Sequence, residues 1–257
     1  MLKNRIIPIL LLKHGRCVKG KQFGDYRDTG APVSAAKIYD AQRVDELAFL
    51  DILASVEGRE MLLPIVTATA EECFMPLTVG GGIRSIDEIK TVLAAGADKV
   101  SINSKALEDK KFIEQTAREF GSQCVVVSID AKIINGKYIV MSQGGSKETL
   151  YNPVEWAKTV ESLGAGEILL NSIDRDGMKN GYDIDLLAAV SDAVKIPVIA
   201  CGGVGEWAHF AEALQKTKVD AVAAANIFHY IDQSVYLAKK YLYEEGCNVR
   251  PCDLMPA

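Results

Sequence analysis

The strongest constraint on the fold of this chain is that it repeats itself. Gly81-Gly82-Ile83 returns 121 positions later as Gly202-Gly203-Val204, and Glu46 ahead of Leu-Ala-Phe-Leu returns at the same offset as Glu167 ahead of Ile-Leu-Leu-Asn. Asp98-Lys99-Val100 matches Asp220-Ala221-Val222 at 122 positions. Repetition at so long a period fixes an architecture more firmly than the propensity of any one segment, because the same supersecondary unit must be laid down twice. That unit is legible in the residues. Short β-branched runs recur at roughly 30-residue intervals, each followed by a segment of helical period, as βα units around a parallel sheet require. Eight strands are expected, at Arg5–Leu12, Glu46–Asp51, Met75–Val79, Lys99–Ile102, Cys124–Asp130, Glu167–Ser172, Pro197–Cys201 and Ala221–Ala225. In 257 residues this predicts an α/β fold, one (βα)8 barrel made of two half-barrels at about 1–122 and 123–257. An open doubly wound sheet shares the alternation but has little reason to repeat its first half. Pro8 is a misfit, since a barrel strand has no free edge on which to hide its missing N–H.

Composition narrows the partners. The net charge is -5 and no Lys/Arg-rich run concentrates positive charge, so neither nucleic acid nor an anionic membrane surface is an expected partner. The early apolar run Ile6–Leu12 is only seven residues long, too short for an export signal or a span. Six scattered cysteines match no disulfide framework or metal knuckle, which predicts reduced thiols, a cytoplasmic protein and no metal or other cofactor. Cys247 and Cys252 read as loose tail thiols.

In barrels of this type the C-terminal strand ends carry the chemistry. Gly80-Gly81-Gly82 closes the third strand ahead of Ser85, a helix N-cap, and the glycines let the backbone approach a phosphate beside free helix-start N–H groups. With Asn103 and Ser104 after the fourth strand, this predicts one phosphate site. The repeat predicts a second from Gly202, Gly203, Ala225 and Asn226. A tight βα connection would need such glycines without any ligand. The repeat also aligns Leu11 with Asp130, so one half-barrel offers a carboxylate where the other offers a hydrocarbon. At the opposite end, Arg5, Glu46, Lys99 and Glu167 each begin a strand, two cations and two anions able to meet around the axis as a neutral plug.

The chain resembles the cyclase subunit of imidazole glycerol phosphate synthase essentially end to end. The likeness is carried by Arg5-Ile6-Ile7, Val18-Lys19-Gly20, Phe49-Leu50-Asp51, Val79-Gly80-Gly81-Gly82 and Asp98-Lys99-Val100-Ser101-Ile102-Asn103. It continues through Phe120-Gly121-Ser122-Gln123, Ile129-Asp130-Ala131-Lys132, Gly164 to Leu170, Ser172-Ile173-Asp174-Arg175-Asp176-Gly177 and Asn248-Val249-Arg250. The resemblance implies a barrel that takes ammonia from a glutaminase partner at its bottom. At the top it would split a phosphorylated ribulosyl-carboxamide substrate and close an imidazole ring. It makes the four-residue charged set an ammonia gate, Lys19 a substrate-contacting loop residue, and Asp176-Gly177 part of the second phosphate site. It also implies two catalytic aspartates, and here the sequence departs: Asp130 stands at one position and Leu11 at the other. Losing one member of an acid–base pair is worth on the order of 10²–10⁴ in rate. His14 and Asn171 depart in the same region, where the family has aspartate and threonine. The leading expectation is therefore a barrel that conducts ammonia but closes rings poorly. It would resemble paralogues that feed a separate sugar amidotransferase converting an acetamido to an acetamidino group in surface-polysaccharide pathways. The alternatives are an active cyclase of histidine biosynthesis, in which His14 or Asn171 reorganises proton transfer around Asp130, and a phosphate-sensing scaffold for the glutaminase.

Overall fold

The computed structural model describes residues 2–57, 63–229 and 234–251. Among these, the strands are β1 (Arg5–Lys13), β2 (Arg16–Lys21), β3 (Gly24–Gly30), β4 (Leu47–Asp51), β5 (Leu77–Gly80), β6 (Lys99–Ile102), β7 (Val125–Ile134), β8 (Lys137–Ser142), β9 (Lys147–Glu148), β10 (Glu167–Ser172), β11 (Val198–Cys201) and β12 (Ala221–Ala224). Eight of them, in the order β1, β4, β5, β6, β7, β10, β11 and β12, pair in parallel and close on β1. Each is followed by a helix that packs outside, so the fold is a (βα)8 barrel. The expected strands are these eight, with ends displaced by up to four residues; the run expected from Met75 begins at Leu77, and the one expected to end at Asp130 continues to Ile134. Cys252 lies outside the described residues, and the last helix runs Val235–Glu244. No helix among the described residues is long and apolar enough to cross a membrane.

The four remaining strands are absent from the sequence reading. β1 and β7 run past the barrel rim and fold back as antiparallel hairpins, with Leu11 opposite Val18 and Asp130 opposite Met141. Both turns place two residues in the left-handed region, His14 and Gly15 in one and Asn135 and Gly136 in the other. Such tight turns match the twist of their strands. The two turns again stand 121 positions apart.

Strand alternation sorts the side chains. Along β1, Ile6, Leu10 and Leu12 join the core between barrel and helices, whereas Ile7 and Ile9 join a second, luminal cluster with Ala48, Val126, Leu169, Ile199, Ala221 and Ala223. Pro8 fits because its side of β1 is not yet in a ladder. The Ile6 N–H, two residues earlier and on that side, donates to the Asp45 carboxylate at 2.9 Å, and pairing with β4 starts only at Ile9 opposite Ala48. Helix starts are secured locally. Ser85 and Glu88 form a reciprocal capping box at Ile86–Ala94, and Asn152 caps Pro153–Ser162 with proline at the first turn.

The glycines at two of the βα turns have a packing cause. A Cβ on Gly81 (φ +101°) would sit 2.1 Å from the carbonyl oxygen of Asp51, and one on Gly202 (φ +90°) 2.7 Å from that of Ser172. Gly136 has a left-handed φ of +74° but open space around it. Gly81→Ala should therefore cost several kcal/mol, against roughly 1 kcal/mol for Gly136→Ala, as read from urea unfolding midpoints. Equal losses would mean that conformation, not close approach, dictates glycine at position 81.

Candidate active site

The floor of the barrel is a closed ring of charge. Arg5 Nη1 reaches Glu46 Oε2 at 2.8 Å and Glu167 Oε1 at 2.9 Å, while Lys99 Nζ reaches Glu46 Oε2 at 2.9 Å and Glu167 Oε2 at 3.0 Å. The Thr78 hydroxyl donates to the remaining Glu46 oxygen at 2.6 Å. Glu46 is 3% exposed, so its charge is tolerable only because three donors meet it. The four side chains thus meet as the sequence predicted.

Above the ring the lumen is apolar. The luminal cluster of isoleucine, leucine, valine and alanine fills the middle of the barrel, with Leu11, Leu50, Cys201 and Ala225 packed at its upper edge. Hydroxyls interrupt this lining on one side only: buried Thr78 and Ser101 stand on β5 and β6, and Ser128 on β7.

At the mouth the wall turns polar. Gly81, Gly82, Asn103 and Ser104 line a cavity of about 190 Å³ together with Asp130, Asn171 and Leu11. Asp176, Gly177, Gly202, Gly203, Ala225 and Asn226 line a second of about 50 Å³. The residues proposed for each phosphate site are therefore brought together. Leu11, Phe23, Leu50, Asn171 and Asp176 border both cavities and form the partition between them. Asn103 Nδ2 donates to Asp130 Oδ2 at 2.9 Å, and the Ser128 hydroxyl lies 3.4 Å from Asp130 Oδ1. The Asn103, Asn171 and Asn226 side-chain oxygens are buried with no hydrogen-bond partner, positions that a ligand's donors would satisfy.

Burial pushes the Asp130 carboxyl up to about 7, and the nearby Asp176 charge adds to this against the opposing hydrogen bonds from Ser128 and Asn171. Burial likewise raises Asp176 to about 6, with the Phe23 N–H countering it. Two proton-exchanging groups at neutral pH share one cavity, the usual condition for acid–base work. Asp176 was expected only beside phosphate. While ionised it would oppose an anion in the smaller cavity.

The β2–β3 hairpin closes over this mouth. At its tip Gln22 and Phe23 both adopt left-handed φ, uncommon for side-chain-bearing residues. The Gln22 N–H donates to the Asp176 carbonyl at 2.9 Å, its side-chain amide donates to the Asp174 carbonyl at 3.1 Å, and Gly20 packs on Gly177. Lys19 rides on this hairpin, paired with Arg27, and lines neither cavity. His14 also lies away from the cavities, 62% exposed and 3.0 Å from Glu57, so it reaches no proton at Asp130. Asp51 accepts the N–H groups of Leu53 and Ala54 at 3.2 and 3.1 Å. Ser104 accepts the Gln143 N–H at 3.0 Å, and His209 accepts that of Gly205 at 3.1 Å. Cys247 is a free thiol. Sequence reading missed Arg84, Lys105 and Tyr26, all in the lining of the larger cavity. The two cations directly follow the recognised Gly82-Ile83 and Asn103-Ser104 segments, which was the available signal.

The raised Asp130 carboxyl has a consequence for stability. It holds its proton to about pH 7 in the fold but only to about pH 4 when unfolded. Between those values the folded chain binds more protons, so this group's contribution declines as pH rises through that window. Asp130→Asn should be more stable than the parent above pH 7 by on the order of 1–3 kcal/mol, the gain vanishing toward pH 4 in urea titrations. A gain independent of pH would contradict the burial of this charge. Residues 5–234 match the family described as histidine biosynthesis protein, nearly the whole chain. With its closed barrel and polar mouth, the chain belongs to that family.

Proposed function

We infer that this barrel receives ammonia from a glutaminase subunit at its charged floor and releases it at its mouth for amination, with weak ring-closing activity of its own. The single observation that carries this reading is the sequence of environments along the axis. A fully paired ring of Arg5, Glu46, Lys99 and Glu167 is followed by an apolar lumen and then by a mouth in which Leu11 faces the cavity of Asp130. Such a ring costs desolvation that aliphatic side chains would avoid, which favours a role beyond holding the floor together. The apolar lumen suits a neutral small molecule and keeps it from being protonated by bulk water. Leu11 neither gives nor takes a proton, so ammonia emerging at the mouth meets one half of the acid–base pair that imidazole formation uses. The glycine turns, with Arg84 and Lys105, supply donors for a phosphorylated molecule there. A separate amidotransferase acting on an N-acetyl sugar is the acceptor this reading favours.

A second reading, an active imidazole-forming cyclase of histidine biosynthesis, is favoured by Asp176, a second carboxyl in the same cavity as Asp130. Reconstituting the barrel with a glutaminase subunit of the same family, glutamine and the ribulosyl-carboxamide substrate separates the two. Glutamine hydrolysis should release ammonia at least about 10²-fold faster than imidazole glycerol phosphate accumulates. Product forming in step with hydrolysis would overturn the proposal and establish the cyclase.

A further inference from the structure

Leu11 brings no proton-handling group to the mouth, but a tyrosine hydroxyl reaches the same cavity. Tyr26 stands on β3, the outer strand of the hairpin that follows β1, and lines the larger cavity with Leu11, Asp130 and Asp176. Its ring is held in place. A Cβ on Gly20 would meet its edge carbons at 2.8 and 2.9 Å, and Lys13 Nζ lies 5.4 Å from the ring centroid. The phenol is close enough to both Asp130 and Asp176 to feel their charges. Asp176 follows β10, the immediate neighbour of β7, whereas β1 lies four strands around the circle from β7.

We propose that the Tyr26 hydroxyl is a further catalytic residue, the donor that faces Asp130 across the bound carbonyl compound in place of the carboxylate that Leu11 removes. The proposal rests on the ammonia-conducting reading only in taking ammonia to emerge at this mouth. When ammonia adds to a carbonyl carbon, the nitrogen lone pair forms the C–N bond and the C=O π pair moves to oxygen. That oxygen takes the Tyr26 proton, and the Asp130 carboxylate takes a proton from the nitrogen. Tyrosinate then regains a proton from water as Asp130 releases one, leaving a carbinolamine and the original groups. Burial, with the charges of Asp176 and Asp130, pushes the phenol up to about 12. It therefore stays protonated at neutral pH and is a poorer acid than a carboxyl, in keeping with slow rather than absent turnover.

The test uses the purified barrel alone, an ammonium salt as nitrogen source at mildly alkaline pH, and the ribulosyl-carboxamide compound as carbonyl substrate. Tyr26→Phe keeps the ring on Gly20 and Lys13 and removes only the hydroxyl. It should lower kcat on the order of 10²-fold while KM stays within about threefold and the thermal midpoint is unchanged. Leu11→Asp should raise turnover and make the same Tyr26→Phe change nearly silent. Parental kcat retained in Tyr26→Phe, or no turnover by the parent protein, would overturn the proposal. A parent protein as fast as Leu11→Asp would instead overturn the ammonia-conducting reading, while the Tyr26→Phe ratio still decides the role of the tyrosine.

Discussion

Four charged side chains closed into the floor of a barrel must neutralise one another, because each would otherwise lose its hydration without replacement. Arg5 and Lys99 alternate with Glu46 and Glu167 so that every ion touches two of opposite sign. This alternation is possible only if β1, β4, β6 and β10 bring their first luminal positions to one level. Strand register and barrel closure therefore set the ring, and the ring in turn penalises any slip of register, since a shift of one residue would turn each charge outward toward the helices. The same period of two then delivers Ile7, Ile9 and Leu11 in succession up one wall. The chemical character of the path is thus a consequence of strand geometry, with charge at the bottom, hydrocarbon in the middle and polar groups at the top.

At the mouth the balance is struck differently. Asp130 and Asp176 are desolvated near one another with no cation among the described residues bonded to either, and each responds by holding its proton toward neutral pH. A floor of paired ions spends its electrostatics on structure, whereas a mouth of unpaired carboxyls keeps them available for exchange with a ligand. The unpartnered oxygens of Asn103, Asn171 and Asn226 belong to the same pattern. Among the described residues, three of the six buried side-chain atoms without a hydrogen-bond partner lie at these cavities and none lies in the ring.

Much of this was legible before any coordinates. The 121-residue repeat and the β-branched runs indicated the barrel strands, and the charges at their starts indicated the ring, because strand ends and inward-facing positions follow from periodicity alone. The two rim hairpins were not found. Asn135-Gly136 is a strong turn signal, but it lies within a run read as the loop after a finished strand, and a barrel template supplies no reason to extend the strand beyond its rim. Missing the hairpins meant missing what they carry. Phe23 and Tyr26 sit far from the glycine motifs in sequence and reach the cavity only because β2 and β3 fold back over it. The proton affinities of Asp130 and Asp176 were illegible for a related reason, since they depend on how much water the overlying hairpin excludes.

Leu11 and the hairpin are also mechanically connected. Leu11 pairs with Val18 on β2 and with Leu50 on β4, so it lies where the barrel ladder and the hairpin of the cover overlap. An aspartate there would place a charge against Phe23 and Leu50, which border the same two cavities. With leucine, these three side chains form the apolar part of the partition and need no counter-charge. A leucine at this position therefore favours the closed cover but carries no proton, whereas the hydroxyl of Tyr26, carried by the cover itself, brings a proton to the cavity without a charge. Selection for a closed, dry exit and selection against fast ring closure would leave the same mark at this position. The hydroxyl of Tyr26 distinguishes them, because a mouth serving only as an exit has no use for a proton donor in the cavity of Asp130.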